Sequence, residues 1–149
     1  MRRALVGTTL ALLSLAAAAN DVGVRVIDAW ARATPPGAGV AAVYLTILGG
    51  DAADRMVGAK SDRAAMTQVH SVTSSDGMAR MREAGRVDVP ARTTLVLAPS
   101  GLHLMLMNLA APLVAGERFG VTLTFEHAGP RTVDVAVLAS GEAPPAARR

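Results

Sequence analysis

The sequence predicts an all-β domain, a two-sheet sandwich or small barrel of about eight strands. Short runs rich in β-branched residues recur along the chain, turn residues separate them at fairly regular intervals, and apolar residues alternate within the runs. Long helical periodicities are missing from the pattern, which points to packed sheets rather than to mixed layers.

In order, Val22, Val24 and Val26 alternate along a first run that continues to Trp30. Thr34-Pro35-Pro36-Gly37-Ala38-Gly39 is a turn-rich connection, because proline fixes φ and glycine permits positive φ. Residues 40–48 read as the next strand, closed by Gly49-Gly50-Asp51. Residues 55–59 and 67–73 follow, the latter leading into Ser74-Ser75-Asp76-Gly77, a hairpin signal, with residues 78–83 returning. Residues 93–97 and 102–109 are separated by Pro99-Ser100-Gly101. The last pair, 118–126 and 131–138, is joined by His127-Ala128-Gly129-Pro130. Within it Phe119, Val121, Leu123 and Phe125 share one face, as do Val133, Val135 and Val137, the mark of half-buried antiparallel strands. Only residues 62–68 have a helical flavour.

The ends carry a different message. Arg2 and Arg3 precede an apolar run over residues 4–16 and the small-residue site Ala17-Ala18-Ala19, which together read as a signal peptide cleaved after Ala19. The run is shorter than the ~20 residues a membrane-spanning helix needs. The expected mature domain is therefore residues 20–141, periplasmic and free of the membrane, with a disordered tail at 142–149 that lacks core-forming residues. Without Arg2 and Arg3 the 15 basic residues fall to 13 against 12 acidic ones. With aromatics at only 3% there is no basic surface with stacking residues, and nucleic acid is excluded as a partner. The chain has no cysteine, so no disulfide braces it, no thiol carries a lipid, and a bound metal must use His, Met, carboxylate or backbone ligands.

Residues 102–108 read Leu-His-Leu-Met-Leu-Met-Asn. In a strand His103, Met105 and Met107 share one face and Leu102, Leu104 and Leu106 the other, so leucines can anchor the strand while an imidazole and thioethers point elsewhere. His70 lies on the strand before the hairpin and Met81 on the strand after it. A turn over Ser74–Gly77 would set the two opposite each other, with Cβ atoms ~5 Å apart. Thioether sulfur is soft and uncharged, so Met combined with His selects Cu(I) over zinc, calcium or magnesium. A type 1 blue centre is excluded, since it needs a thiolate.

Residues 69–112 resemble the periplasmic copper chaperones of the PCu(A)C family, whose signature is His, ten residues, Met, twenty-one residues, His, one residue, Met. His70, Met81, His103 and Met105 reproduce both gaps. Asp76-Gly77, Arg80-Met81-Arg82, Val89-Pro90, the segment from Gly101 to Met107, the run from Ala29 to Gly37 and Tyr44-Leu45 add to the likeness. The resemblance implies a cupredoxin-like Greek-key β-sandwich and one Cu(I) per chain on those four residues, with Cu(II) left open. It further implies delivery of copper to respiratory cytochrome oxidase, notably its CuA centre. The implied partner of this monomer is the oxidase's copper-bearing subunit or another copper chaperone. Ser71 follows His70 where many members carry another Met, so two His and two Met are expected.

Other candidates read as background. Met56, Met66 and Met107 are expected as core or partial surface, His127 as a turn residue and Trp30 as a core aromatic. No phosphate loop or nucleophile motif is found, and the chain is read as a non-enzyme. Two further readings stay open: a copper buffer or resistance protein without a dedicated acceptor, and a metal-free structural β-sandwich.

Overall fold

The computed structural model describes residues 23–145. Every regular element among them is a strand: β1 (Arg25–Arg32), β2 (Val40–Leu48), β3 (Asp54–Lys60), β4 (Ala64–Ser75), β5 (Met78–Glu83), β6 (Val87–Val89), β7 (Thr94–Leu97), β8 (Leu102–Leu109), β9 (Arg118–Phe125) and β10 (Gly129–Leu138). Ten strands thus replace the expected count of about eight. Part of the excess is β6, a three-residue strand too short to stand out in sequence. The helical flavour at 62–68 is overruled: β4 starts at Ala64 and pairs with β8 from its first residue. Cross-strand packing there outweighs a weak local propensity. The expected signal peptide, residues 1–19, lies outside the described residues. Of the segment expected as a tail, Glu142 is tied back to the domain, its carbonyl accepting from Arg32 Nη1 at 2.6 Å.

Hydrogen bonding links the strands in the order β5-β4-β8-β2-β1-β10-β9-β3-β6, with β7 pairing the second half of β2. β1 and β10 run parallel and the other pairs antiparallel. The sheet folds over one core, to which Val43, Ile47, Val69, Leu104, Leu106, Val121, Leu123 and Phe125 contribute from the facing sides of β2, β4, β8 and β9. The alternation in β9 does what the sequence expects: Phe119, Val121, Leu123 and Phe125 are all buried.

β1 departs from simple alternation. Its pairing with β2 shifts register between Ile27 and Trp30, where Asp28 adopts φ +54°. A bulge inserts one residue and flips which side chains face inward. Val24 enters the core before it, and Ala29 and Ala31 after it. Trp30, expected among the core aromatics, is therefore turned to the opposite face, where it is buried against other groups.

At one end of the sandwich Asp54 organises the turn between β9 and β10. Its Oδ1 accepts from the backbone N–H of Arg55 at 2.7 Å and of His127 at 3.0 Å, and Oδ2 accepts from Ala128 N–H at 2.8 Å. His127 Nδ1 adds a contact at 3.2 Å to Oδ1. Burial pushes the Asp54 carboxyl pKa up, but these hydrogen bonds outweigh it and bring it down to about 2. A depressed folded-state pKa contributes stability that is fully present above the unfolded value, 3.8, and is lost as pH falls toward 2. Acid titration followed by circular dichroism should show the wild-type chain losing stability across that window. Asp54→Asn should flatten that dependence and destabilise the chain by about 2 kcal/mol at neutral pH, because acceptors of buried N–H groups are lost.

Candidate metal centre

The face of β4, β8 and β2 opposite the core carries the chemistry. β8 alternates as its sequence implies: Leu104 and Leu106 are fully buried in the core, and His103, Met105 and Met107 point the other way. β4 pairs with β8 so that His70 lies directly across from His103 and Gln68 across from Met105. The two imidazole centres are 6.0 Å apart, tilted by 59°. Residues 33 positions apart in the chain thus bring two imidazoles side by side.

Met81 joins this face by a different pairing from the expected one. The turn is the two-residue pair Asp76-Gly77, with φ +53° and +76°, closing between Ser75 and Met78. Positive φ at both central residues is the geometry of the type I′ hairpin turn, which fixes register for the whole hairpin. Met81 consequently sits opposite Val72, and Glu83 opposite His70. Met81 and His70 remain on one face as diagonal neighbours, a separation of about 7–8 Å that a long thioether side chain can bridge. All four residues singled out by the spacing, His70, Met81, His103 and Met105, therefore face the same side of the sheet.

Their surroundings hold the imidazoles in definite orientations. His103 is 4% exposed, and its Nδ1 lies 3.1 Å from the Gly101 carbonyl. A carbonyl only accepts, so Nδ1 carries the proton and Nε2 keeps its lone pair. The same carbonyl accepts Val72 N–H at 3.2 Å, which fastens the hairpin base to β8. His70 Nε2 lies 3.3 Å from Gln68 Oε1, so the proton belongs on Nε2. That leaves Nδ1 with a lone pair, and it is buried without a hydrogen-bond partner. A buried imidazole nitrogen without a partner costs free energy unless something occupies its lone pair. Imidazoles oriented through their other nitrogen are the usual arrangement in metal sites.

Further side chains complete the face. Tyr44 lies 6.3 Å from the His103 ring, and Trp30 lies 4.5 Å from Tyr44, under the Arg32 guanidinium at 4.9 Å. Burial raises the Tyr44 hydroxyl pKa, with Arg32 acting against it. Tyr44 thus stays neutral at physiological pH and walls the His103 imidazole with an uncharged ring. Met81, in contrast, is 52% exposed, on a hairpin whose β5 strand is exposed throughout. The site is sheltered on the His103 side and open on the Met81 side. Gln68 was not singled out in the sequence; its only signal there is its two-residue offset from His70. His127 lies on the β9–β10 turn with Asp54, apart from this face. No set of three or more His, Cys, Asp or Glu residues clusters among the described residues, so this face stands out by its methionines beside the two histidines.

This arrangement defines a class: a small β-sandwich with two imidazoles and several thioethers displayed on one outer face. Comparison with known proteins agrees. The family model described as "Putative lipoprotein LpqE-like" matches residues 24–137. A protein of Leifsonia xyli subsp. xyli (strain CTCB07), named "Putative lipoprotein Lxx21020", is 39% identical over 117 residues, covering 77% of this chain and 69% of that one. Among solved structures, the copper-bound PCuAC domain from PmoF2 superposes with a TM-score of 0.66 at 27% identity, over 81% of this chain and 99% of that one. The solution structure of CuI-DR1885 from Deinococcus radiodurans gives a TM-score of 0.63 at 32% identity, over 85% and 84%. The chain belongs to the LpqE-like family and has the cupredoxin-like β fold of PCuAC copper-chaperone domains.

Proposed function

We propose that this chain is an exported copper chaperone that carries one Cu(I) on His70, Met81, His103 and Met105. The observation that carries the reading is the opposed pair His70 and His103, each with one nitrogen held by a neighbour and the other left as a lone pair, the Nδ1 of His70 buried without a partner. Met105 and Met81 share their face and add soft sulfur, the donor set that favours Cu(I) over hard ions. The similar solved domains include a copper-bound PCuAC domain and a Cu(I) form, which supports copper as the cargo.

The cargo would be passed by ligand exchange. Met81 is the exposed member of the set, so it is the ligand an acceptor replaces first, while the buried His103 releases last. A neutral thioether needs no proton when it leaves, and copper keeps its oxidation state throughout. We assign the acceptor to the copper-bearing subunit of cytochrome oxidase, at its CuA centre, or to another copper chaperone. The matching family and relative carry lipoprotein names, which supports export; this chain has no cysteine among its 149 residues to take a lipid.

A deletion strain separates delivery from storage. Delivery predicts loss of the CuA signal at low copper, regained with the wild-type chain but not with a His70→Ala/His103→Ala chain. Copper sensitivity with a normal oxidase would overturn delivery in favour of buffering.

A further inference from the structure

The thioethers on this face outnumber those the four-ligand site uses. Following β4 and β8 away from the hairpin, the face presents the pairs His70/His103, Gln68/Met105 and Met66/Met107 in turn, beyond which Ala64 and Leu109 pack on the core. Met66 and Met107 are thus direct cross-strand partners, with Cβ atoms about 5 Å apart. Met105 is the next residue on the same face of β8, and Met66 is its diagonal neighbour. The β5 strand ends opposite His70, so Glu83 does not reach this row. On the far side, β2 offers only Val40 across from Met107 and Ala42 across from Met105. The two neighbouring rows Gln68/Met105 and Met66/Met107 therefore carry three thioethers and one amide, with no carboxylate and no imidazole.

Burial does not account for them. Met66 is 47% exposed, and neither Met66 nor Met107 belongs to the core cluster or to the partly buried residues packed on it. An unbranched thioether on a strand forgoes the packing that β-branched residues give there, and it gains little burial in return. Three neighbouring neutral sulfurs are, by contrast, a ligand set for a soft monovalent ion.

We propose that Met66, Met107 and Met105 form a second soft-metal station for Cu(I) or Ag(I), beside the two-histidine site and weaker than it. Successive pairs on one face are about 7 Å apart along a strand, so the Met66/Met107 row lies ~13 Å from the His70/His103 row with Met105 between them. Met105 belongs to both sets. An ion moves between them when Met105 keeps its bond while His70, His103 and Met81 are released and Met107 and Met66 take their place. Charge and oxidation state do not change, so no co-reactant is needed. The station gives the face an entrance or exit at the end away from Met81.

Silver titration of the full mature chain tests this, with the methionine methyl groups followed by NMR and bound silver counted by mass spectrometry. The expected result is two equivalents, the second shifting the Met66 and Met107 methyl signals. Met66→Leu/Met107→Leu, which keeps volume and apolar character, should lose the second equivalent and retain the first. In His103→Ala the Met66 and Met107 signals should still move, so the station stands or falls separately from the two-histidine site. A single equivalent in the wild-type chain, Met66 and Met107 methyl signals that stay in place, or two equivalents retained in the double variant would each overturn the proposal.

Discussion

Met105→Leu weakens Cu(I) binding by more than about 100-fold and leaves the fold of the metal-free chain intact. The magnitude follows from rank: removing an outer partner of a metal ligand typically costs 10–100-fold in affinity, and a direct ligand costs more. Leucine keeps the volume and apolar character of methionine, and such swaps usually cost less than about 1.5 kcal/mol even in a core. Met105 is only half-buried and lies on the face away from the core. Competition against a chromophoric Cu(I) chelator measures the affinity, and a thermal melt of the metal-free chain measures the fold. Unchanged affinity would remove Met105 from the site.

The adjacent substitution, Leu104→Ala, should do the reverse. Leu104 is fully buried and sits across from Val69 on one neighbouring strand and Val43 on the other, both core residues. Truncating a buried leucine costs about 2–5 kcal/mol, the spread reflecting how far the cavity collapses. For a domain of this size that lowers the melting midpoint on the order of 10 °C. At temperatures where the variant remains folded, its copper affinity should stay within a few-fold of wild type, because the ligands occupy the other side of the same strand. Positions 104 and 105 thus separate stability from binding. A Leu104→Ala chain that melts normally would contradict the assigned orientation of β8.

That orientation was legible from residues 102–108 alone, because period-two alternation of leucine with His and Met leaves only one sensible choice of inner face. The buried stripe of β9 was readable for the same reason. The hairpin was legible as a hairpin but not in its register. Asp76-Gly77 makes a two-residue turn, and that moves Met81 from its expected place opposite His70 to the position opposite Val72. The pairing of His70 with His103 is non-local, set by how β4 docks on β8, and the spacing of a motif states only that the residues belong together. Trp30 is buried as expected but on the outer face, because alternation assumes an unbroken strand and the Asp28 bulge reverses the parity of β1. Gln68 and the Gly101 carbonyl, which orient the two imidazoles, leave no composition or spacing signal, since one is an ordinary amide and the other a backbone group.

Copper K-edge absorption on the chain loaded with one equivalent of Cu(I) tests the central claim most directly, because it counts the atoms bound to the ion. The arrangement of His70, His103, Met81 and Met105 predicts two nitrogen and two sulfur neighbours, reduced to two nitrogens and one sulfur in Met105→Leu. A first shell of oxygen and nitrogen without sulfur, or one that Met105→Leu leaves unchanged, would contradict it.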